Sequence, residues 1–480
     1  MNKKNFLLFC LLILLFLISK SQVQISKFNN NYTSVYTNSL EDNEGNYLVS
    51  GITNPNGISD IGYLMKISSS GIILNELQFQ YGGENSFLTK MIHYNTNIIV
   101  IGKVYNEFGD NLFFLKLDSN LQINDCKFIP FQNNRHINYF NLLVDSDSSI
   151  IISGCSYAVS GNSYIQPFLY QINGNGDSIK TKYFNNSNIQ VIYQLHESPD
   201  SSKYFAFMDG YRVGYEISGI LHLDKNFDTI EYHCLSSEYN YIFSSISLYD
   251  SLFLVTNLDL TSTQYLKICL INQNGVIKNY LEFSKSSSTN EYPAYSPGIS
   301  HRDGAIYIGA TSGFDFSNPN YSTNDSWFHL IKMDENMNVI WEKWYGGDAY
   351  FFLRSVTATS DGGCLLVGTK YPHGIGNQFI QGHYVKVDAN GDVQWTQDIE
   401  MPELSYKVYP NPTQSVFNIE NSEFNIQSVE LYDISGRFLL SVPDCNNNTI
   451  SIDLTPFPNG IYFAKIKSTK GVRTEKVVKN

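Results

Sequence analysis

The sequence predicts an all-β protein: a seven-bladed β-propeller followed by a small C-terminal β-sandwich. Three observations lead there. Charged residues are only 16% of the 480, while Asn, Ser, Tyr and Phe are abundant, a balance that suits exposed strands and polar turns better than surface helices. A two-part strand pattern recurs about seven times at a spacing of roughly 50 residues, in the range of propellers and solenoids. After Pro402 that pattern stops, and short alternating strands with Gly and Pro punctuation take over.

The N-terminus reads as an export signal over residues 1–21. Lys3 and Lys4 precede an apolar run from Phe6 to Ile18, and Ser19-Lys20-Ser21 offers small residues at a signal-peptidase site. The run falls short of the roughly 20 residues that span a bilayer as a helix, so the mature chain is expected to start at Gln22 with no transmembrane segment. Cys10 lies inside the run and so serves as an apolar residue, not a lipid-attachment cysteine. Six cysteines remain, at 126, 155, 234, 269, 364 and 445. Export permits disulfides among them, and buried free thiols are an equal alternative for Cys155 and Cys269.

Residues 22–400 carry the repeat. Its clearest copy is Cys364-Leu365-Leu366-Val367-Gly368-Thr369, followed by His383-Tyr384-Val385-Lys386-Val387-Asp388-Ala389-Asn390-Gly391 and then Val393-Gln394-Trp395. A small residue marks each copy, at 51, 102, 154, 209, 257, 309 and 368. The fourth and fifth copies are degraded. A lead-in strand such as Phe352 to Thr357 brings each unit to four strands, the content of a propeller blade. Asn-Gly or similar turns close the last hairpin. The Lys-Ile/Leu-Asp turn, Trp341 and Trp395 in last strands, and Tyr81-Gly82-Gly83 and Tyr345-Gly346-Gly347 resemble exported bacterial propellers.

Residues 401–406 read as a linker, and 407–480 as the sandwich. Tyr409-Pro410-Asn411-Pro412 opens it, the prolines removing ladder donors. Leu431-Tyr432-Asp433 with Gly436-Arg437 follows, then Gly460-Ile461-Tyr462 and terminal Lys476-Val477-Val478-Lys479. In this order the motifs resemble the type A C-terminal sorting domain of type IX secretion cargo. The resemblance implies partners, a type IX translocon and a sortase-like peptidase. It also implies passage through the periplasm to the outer-membrane cell surface or the medium, with cleavage before Lys407.

The net charge of −13 argues against a nucleic-acid partner. No Gly-x-Ser-x-Gly, His-Glu-x-x-His, phosphate loop or zinc spacing occurs, so the sequence assigns no catalytic, cofactor-binding or metal residues, and no cofactor. Thr359-x-Asp361-x-Gly363 and the runs Asn173–Asp177 and Asp388–Asp392 read as turns, not as a sialidase box or calcium loops. Of Arg135, Arg212, Arg302 and Arg354, three are not expected to converge on a carboxylate. Trp341 and Trp395 are expected between blades and His301-Arg302-Asp303 in a turn, which leaves Trp327 as the better surface candidate. The favoured expectation is a non-catalytic module binding a glycan, a protein or a matrix component. An extracellular hydrolase with carboxylates in the central channel is the alternative, and a structural spacer a third.

Overall fold

The computed structural model describes residues 33–480, apart from 55–58, 107, 130, 132–134, 160–164, 186–188, 213–214, 236–240, 250–251, 260–264, 285–288, 296, 316–323, 374–379, 397–406, 421–425, 435–436, 443–448 and 469–470. The export signal and the linker lie outside these residues, as do Cys10, Cys445 and Gly436. The described residues contain strands and no helix, and so no helix long and apolar enough to cross a membrane. They fall into two compact units.

In the first unit, seven sheets follow one another along the chain among the described residues. All but the sixth are simple four-stranded antiparallel meanders, and the sixth has a divided first strand. Fourth strands lie outermost: Ile73–Phe79, for example, alternates half-buried and exposed positions. The last sheet packs on the first. Ser34 N donates to Ile380 O at 2.8 Å, Gly382 N to Ser34 Oγ at 2.8 Å, and Ser39 Oγ meets Thr357 Oγ1 at 2.7 Å. Buried Glu41 accepts Ser360 N and Oγ, and pairs with Arg302 of the sixth sheet. The ring is closed, and the unit is a β-propeller.

One turn recurs between the third and fourth strands of every sheet, beginning at Ser68, Asp118, Asn173, Asp224, Asn272, Asp334 and Asp388. In the Asp and Asn copies the side-chain oxygen accepts two backbone N–H groups, as Asp388 Oδ1 does from Asn390 at 2.8 Å and Asp392 at 2.9 Å. This is local Asx chemistry, and it accounts for the calcium-like wording of these segments. The fourth residue of each turn has positive φ. In the seventh turn it is Gly391, where a Cβ would meet the Trp341 ring of the sixth sheet at 3.0 Å. Gly71 sits in the same way under Trp395, across the ring closure.

Three turns solve the same packing problem in reverse. Leu121, Phe227 and Met337 take the left-handed position themselves, with φ of 63°, 66° and 64°, and each is buried against the preceding sheet. The left-handed backbone costs a non-glycine residue about 1–2 kcal/mol. Filling a core position with a large side chain outweighs that, since Phe truncation costs about 3–5 kcal/mol.

Hydrogen bonds reinforce this seat. The carbonyl of the second turn residue accepts a donor from the preceding sheet at six interfaces. The pairs are Lys66 to Ser119 at 2.8 Å, Lys116 to Gly174 at 3.5 Å, Lys180 to Lys225, His222 to Gln273 at 2.8 Å, Lys332 and Trp341 to Ala389 at 2.8 and 3.0 Å, and Trp395 to Ser69 at 3.0 Å. Trp341 and Trp395 therefore lie between sheets, in the same role.

The second unit has a three-stranded and a four-stranded sheet. They enclose an apolar core that includes Phe417, Ile419, Leu431, Ile452, Tyr462 and Ile466.

Phe227→Gly relieves the backbone but empties the seat, and is expected to lower stability by about 2 kcal/mol in denaturant unfolding. A stabilised variant would mean that backbone strain, not burial, dominates there.

Candidate functional site

The innermost strand of each sheet is interrupted by one extra residue. Register slips place Thr37, Thr89, Phe140, Tyr193, Phe243 and Arg354 in β-bulges of the first, second, third, fourth, fifth and seventh sheets. In the sixth the strand is broken outright between Pro293 and Ile299, and Tyr295 lies in the break. A bulge re-aims the extra side chain. Here four of these residues, with Tyr295, line one cavity of about 480 Å³ at the ring's inner wall. Tyr193 stacks edge-on to Phe140 at 4.9 Å, and Phe243 lies 5.5 Å from Tyr295.

The marker residue of the repeat makes the bulge possible. A Cβ on Gly51 would stand 1.9 Å from the Val35 carbonyl of the bulged strand, so the backbone occupies the space a side chain would need. Gly102, Gly154 and Gly368 hold the same register. In the fourth sheet the residue at that register is Met208, paired with Ile192, and not Asp209. The expected marker there was one residue off, because the degraded copy has no glycine to fix the register.

The cavity lining combines Phe87, Tyr139, Phe140 and Tyr295 with Lys90, Lys103 and Arg354, and holds no Asp or Glu among the described residues. Lys103 is engaged, 3.0 Å from buried Asp110 and 3.1 Å from the Ile137 carbonyl. Arg354 is not matched in this way. Its guanidinium carbon lies 4.1 Å over the Phe352 ring, and its buried Nε has no hydrogen-bond partner among the described residues. Burial pushes the Lys90 ammonium down to about 7 and also lowers Arg354, which tyrosines 292, 295, 350 and 371 surround. Such a pocket is short of negative charge. A ligand carboxylate aligned with the guanidinium fork would supply it bidentately.

The other sequence candidates are placed elsewhere. Arg135 bonds Ser156 and Arg302 bonds Glu41, so neither joins Arg354, and the Arg212 side chain is outside the described residues. Asp361 is a turn residue, accepting from Thr359 at 2.6 Å and pairing with Lys386 at 2.7 Å. His301 pairs with Glu335 at 2.8 Å, while Asp303 and Gly304 form a positive-φ turn. Trp327, the better surface candidate, is half-buried, with its indole nitrogen over Gly347. It begins the strand Trp327–Asp334 and pairs with Gly346. The five described cysteines are free thiols.

In the second unit the opening motif is pinned to the last strand. Asn411 Nδ2 donates to Lys476 O at 2.7 Å and its Oδ1 accepts Val478 N at 2.9 Å, so the side chain stands in for a strand pair between exposed Pro410 and Pro412. Tyr409 pairs with Asn418, and Arg437 bonds Asp433 at 3.0 Å. Buried Tyr462 donates to the Pro458 carbonyl, Gly460 and Ile461 open the strand that pairs with the chain's end, and the Lys476 side chain is exposed.

The family model for the secretion system C-terminal sorting domain matches residues 407–480. The chain is thus a β-propeller carried by the type IX secretion system, exported for release or cell-surface attachment. No curated protein matches it in sequence. Similar solved structures include puromycin hydrolase, at 9% identity and TM-score 0.49 over 82% of this chain and 60% of that one. The β-propeller domain of the Trilobed protease from Pyrococcus furiosus is similar at 10% identity and TM-score 0.45, over 77% and 100%. Synechocystis apocarotenoid oxygenase follows at 10% and 0.41, over 79% and 92%. This chain spans only 57–60% of the puromycin hydrolase chains.

Two outcomes are expected. Because folding depresses Lys90, the unfolded chain binds the extra proton between pH 7 and roughly 10.4, so this group's contribution to stability rises with pH across that window. The advantage of Lys90→Met over the natural protein in unfolding free energy should therefore shrink from pH 6.5 to 9.5, and a flat difference would contradict the depressed ammonium. Asn411→Ala removes two hydrogen bonds worth about 1 kcal/mol each. It should lower the second unit's melting temperature and reduce surface display, whereas unchanged display would separate the motif's geometry from sorting.

Proposed function

We propose that this protein is a seven-bladed, non-catalytic surface propeller whose channel binds the carboxylate-bearing end of an acidic glycan. One observation carries the reading: four bulge residues converge on a cavity with aromatic walls, Lys90 and Arg354, and no lining carboxylate among the described residues. Aromatic faces suit sugar rings, and the guanidinium gives orientation through a planar fork. The volume is in the usual range for small-ligand sites. A glycosidase of the two-carboxylate kind needs an acid and a base flanking the bond, and the lining supplies neither.

The delivery route completes the proposal. Residues 1–21 direct export, 22–400 form the propeller, 401–406 the linker, and the translocon reads 407–480. A sortase-like peptidase removes the tail before Lys407 and joins the new terminus to an anionic lipopolysaccharide at the outer membrane.

Calorimetric titration of the mature protein with uronic-acid oligosaccharides and their carboxyl-reduced counterparts tests the reading. Binding should require the carboxylate, and Arg354→Met should weaken it about 10–100-fold, the equivalent of one charged hydrogen-bonded contact. Equal binding of both sugars would overturn the proposal, and release of shorter sugars would favour the hydrolase instead.

A further inference from the structure

The fourth sheet departs from the repeat at one position. Two residues before the turn, the first, second, sixth and seventh sheets carry Lys66, Lys116, Lys332 and Lys386, the third Gln171 and the fifth Leu270, while this one carries His222. The histidine keeps the inter-sheet bond, its Nε2 donating to Gln273 O at 2.8 Å. That bond places the ring proton on Nε2 and leaves the Nδ1 lone pair free to act as a ligand. On the neighbouring strand, Thr229–Cys234, Glu231 pairs with His222 and His233 pairs with Ile220, so the three side chains share one face.

Their geometry is close to that of a metal centre. His222 Nδ1 lies 3.7 Å from Glu231 Oε2, and His233 Nε2 lies 3.2 Å from the same oxygen. The three ligand atoms are all within 4.8 Å of one another. Tetrahedral zinc with bonds of about 2.0–2.2 Å spaces its ligand atoms roughly 3.3–3.6 Å apart. The arrangement is not a set of ordinary hydrogen bonds, because the buried His233 Nε2 has no hydrogen-bond partner among the described residues.

His329 shows the contrast. Both its nitrogens are bonded, to Glu291 at 3.0 Å and Glu342 at 2.8 Å. Burial opposes its charge but the two carboxylates prevail, so that ring favours the protonated form and offers no lone pair. In His222 the hydrogen bond to Gln273 O is made by Nε2, which leaves Nδ1 facing Glu231 and His233.

We propose that His222, Glu231 and His233 bind a divalent transition-metal ion of the zinc class, with the fourth coordination position facing solvent beside the exposed Glu231. Two imidazoles and one carboxylate suit zinc and its neighbours better than calcium or magnesium, which take oxygen ligands. The site is on the outer two strands of its sheet, separate from the channel. It stands whether or not the channel binds a glycan.

The test uses untagged mature protein stripped with a chelator. Zn²⁺ is titrated in competition with a chromophoric chelator, and Co²⁺ is followed by its visible absorption. One equivalent should bind, Co²⁺ should give the intense bands of a tetrahedral site, and saturating Zn²⁺ should raise the melting temperature. His233→Ala and Glu231→Gln should weaken binding by more than the roughly 10–100-fold typical of outer-shell changes, while His301→Ala leaves it unchanged. Failure of the folded natural protein to bind Zn²⁺, or unchanged affinity in both ligand variants, would overturn the proposal.

Discussion

The propeller depends on a single contact made repeatedly: the outer hairpin turn of one sheet seated against the sheet before it. The turn must present a left-handed residue, and the seat must be filled from one side or the other. Where glycine takes the turn position, as at Gly71 and Gly391, a tryptophan of the preceding sheet supplies the volume. Where Leu121, Phe227 or Met337 takes it, the turn supplies the volume itself. A donor from the preceding sheet then satisfies the turn carbonyl. Because Trp395 makes this contact with Ser69 just as Trp341 makes it with Ala389, the closing interface is chemically like an interior one.

The inner wall follows from the same economy of space. In the first, second, third and seventh sheets the second strand gives up a side chain at the marker position, where Gly51, Gly102, Gly154 and Gly368 stand, and the first strand bulges there. The scaffold thus fixes where the bulge residues stand while leaving their identity free. Threonines at 37 and 89 and aromatics at 140, 193 and 243 leave Arg354 as the one bulge residue with a formal charge. With Lys90 beside the second bulge and Arg354 at the seventh, the cavity gathers basic groups in apolar surroundings, where a ligand anion is correspondingly favoured.

Much of this architecture was legible from sequence, for physical reasons. Turns are local, so Asp388-Ala389-Asn390-Gly391 and its relatives announce themselves, and their even spacing implies the sheets. The tail was legible because Tyr409-Pro410-Asn411-Pro412 and the final lysine strand occur in a fixed order. The bulges were not, since a one-residue slip depends on register between strands, and Asp209 was mistaken for Met208 on that account. Arg354 was noted only as one arginine among four, because its place in the cavity depends on residues of five sheets meeting there. The His222, Glu231 and His233 trio escaped for a related reason: its first ligand lies nine residues from the second, and cross-strand pairing brings them together.

The most direct measurement is a crystal structure of the mature propeller grown with a uronic-acid oligosaccharide. The account predicts sugar density in the channel, its carboxylate between Lys90 and Arg354 and a ring face against Tyr295 or Phe140. Sugar bound at the outer loops, with the channel empty under saturating ligand, would contradict it.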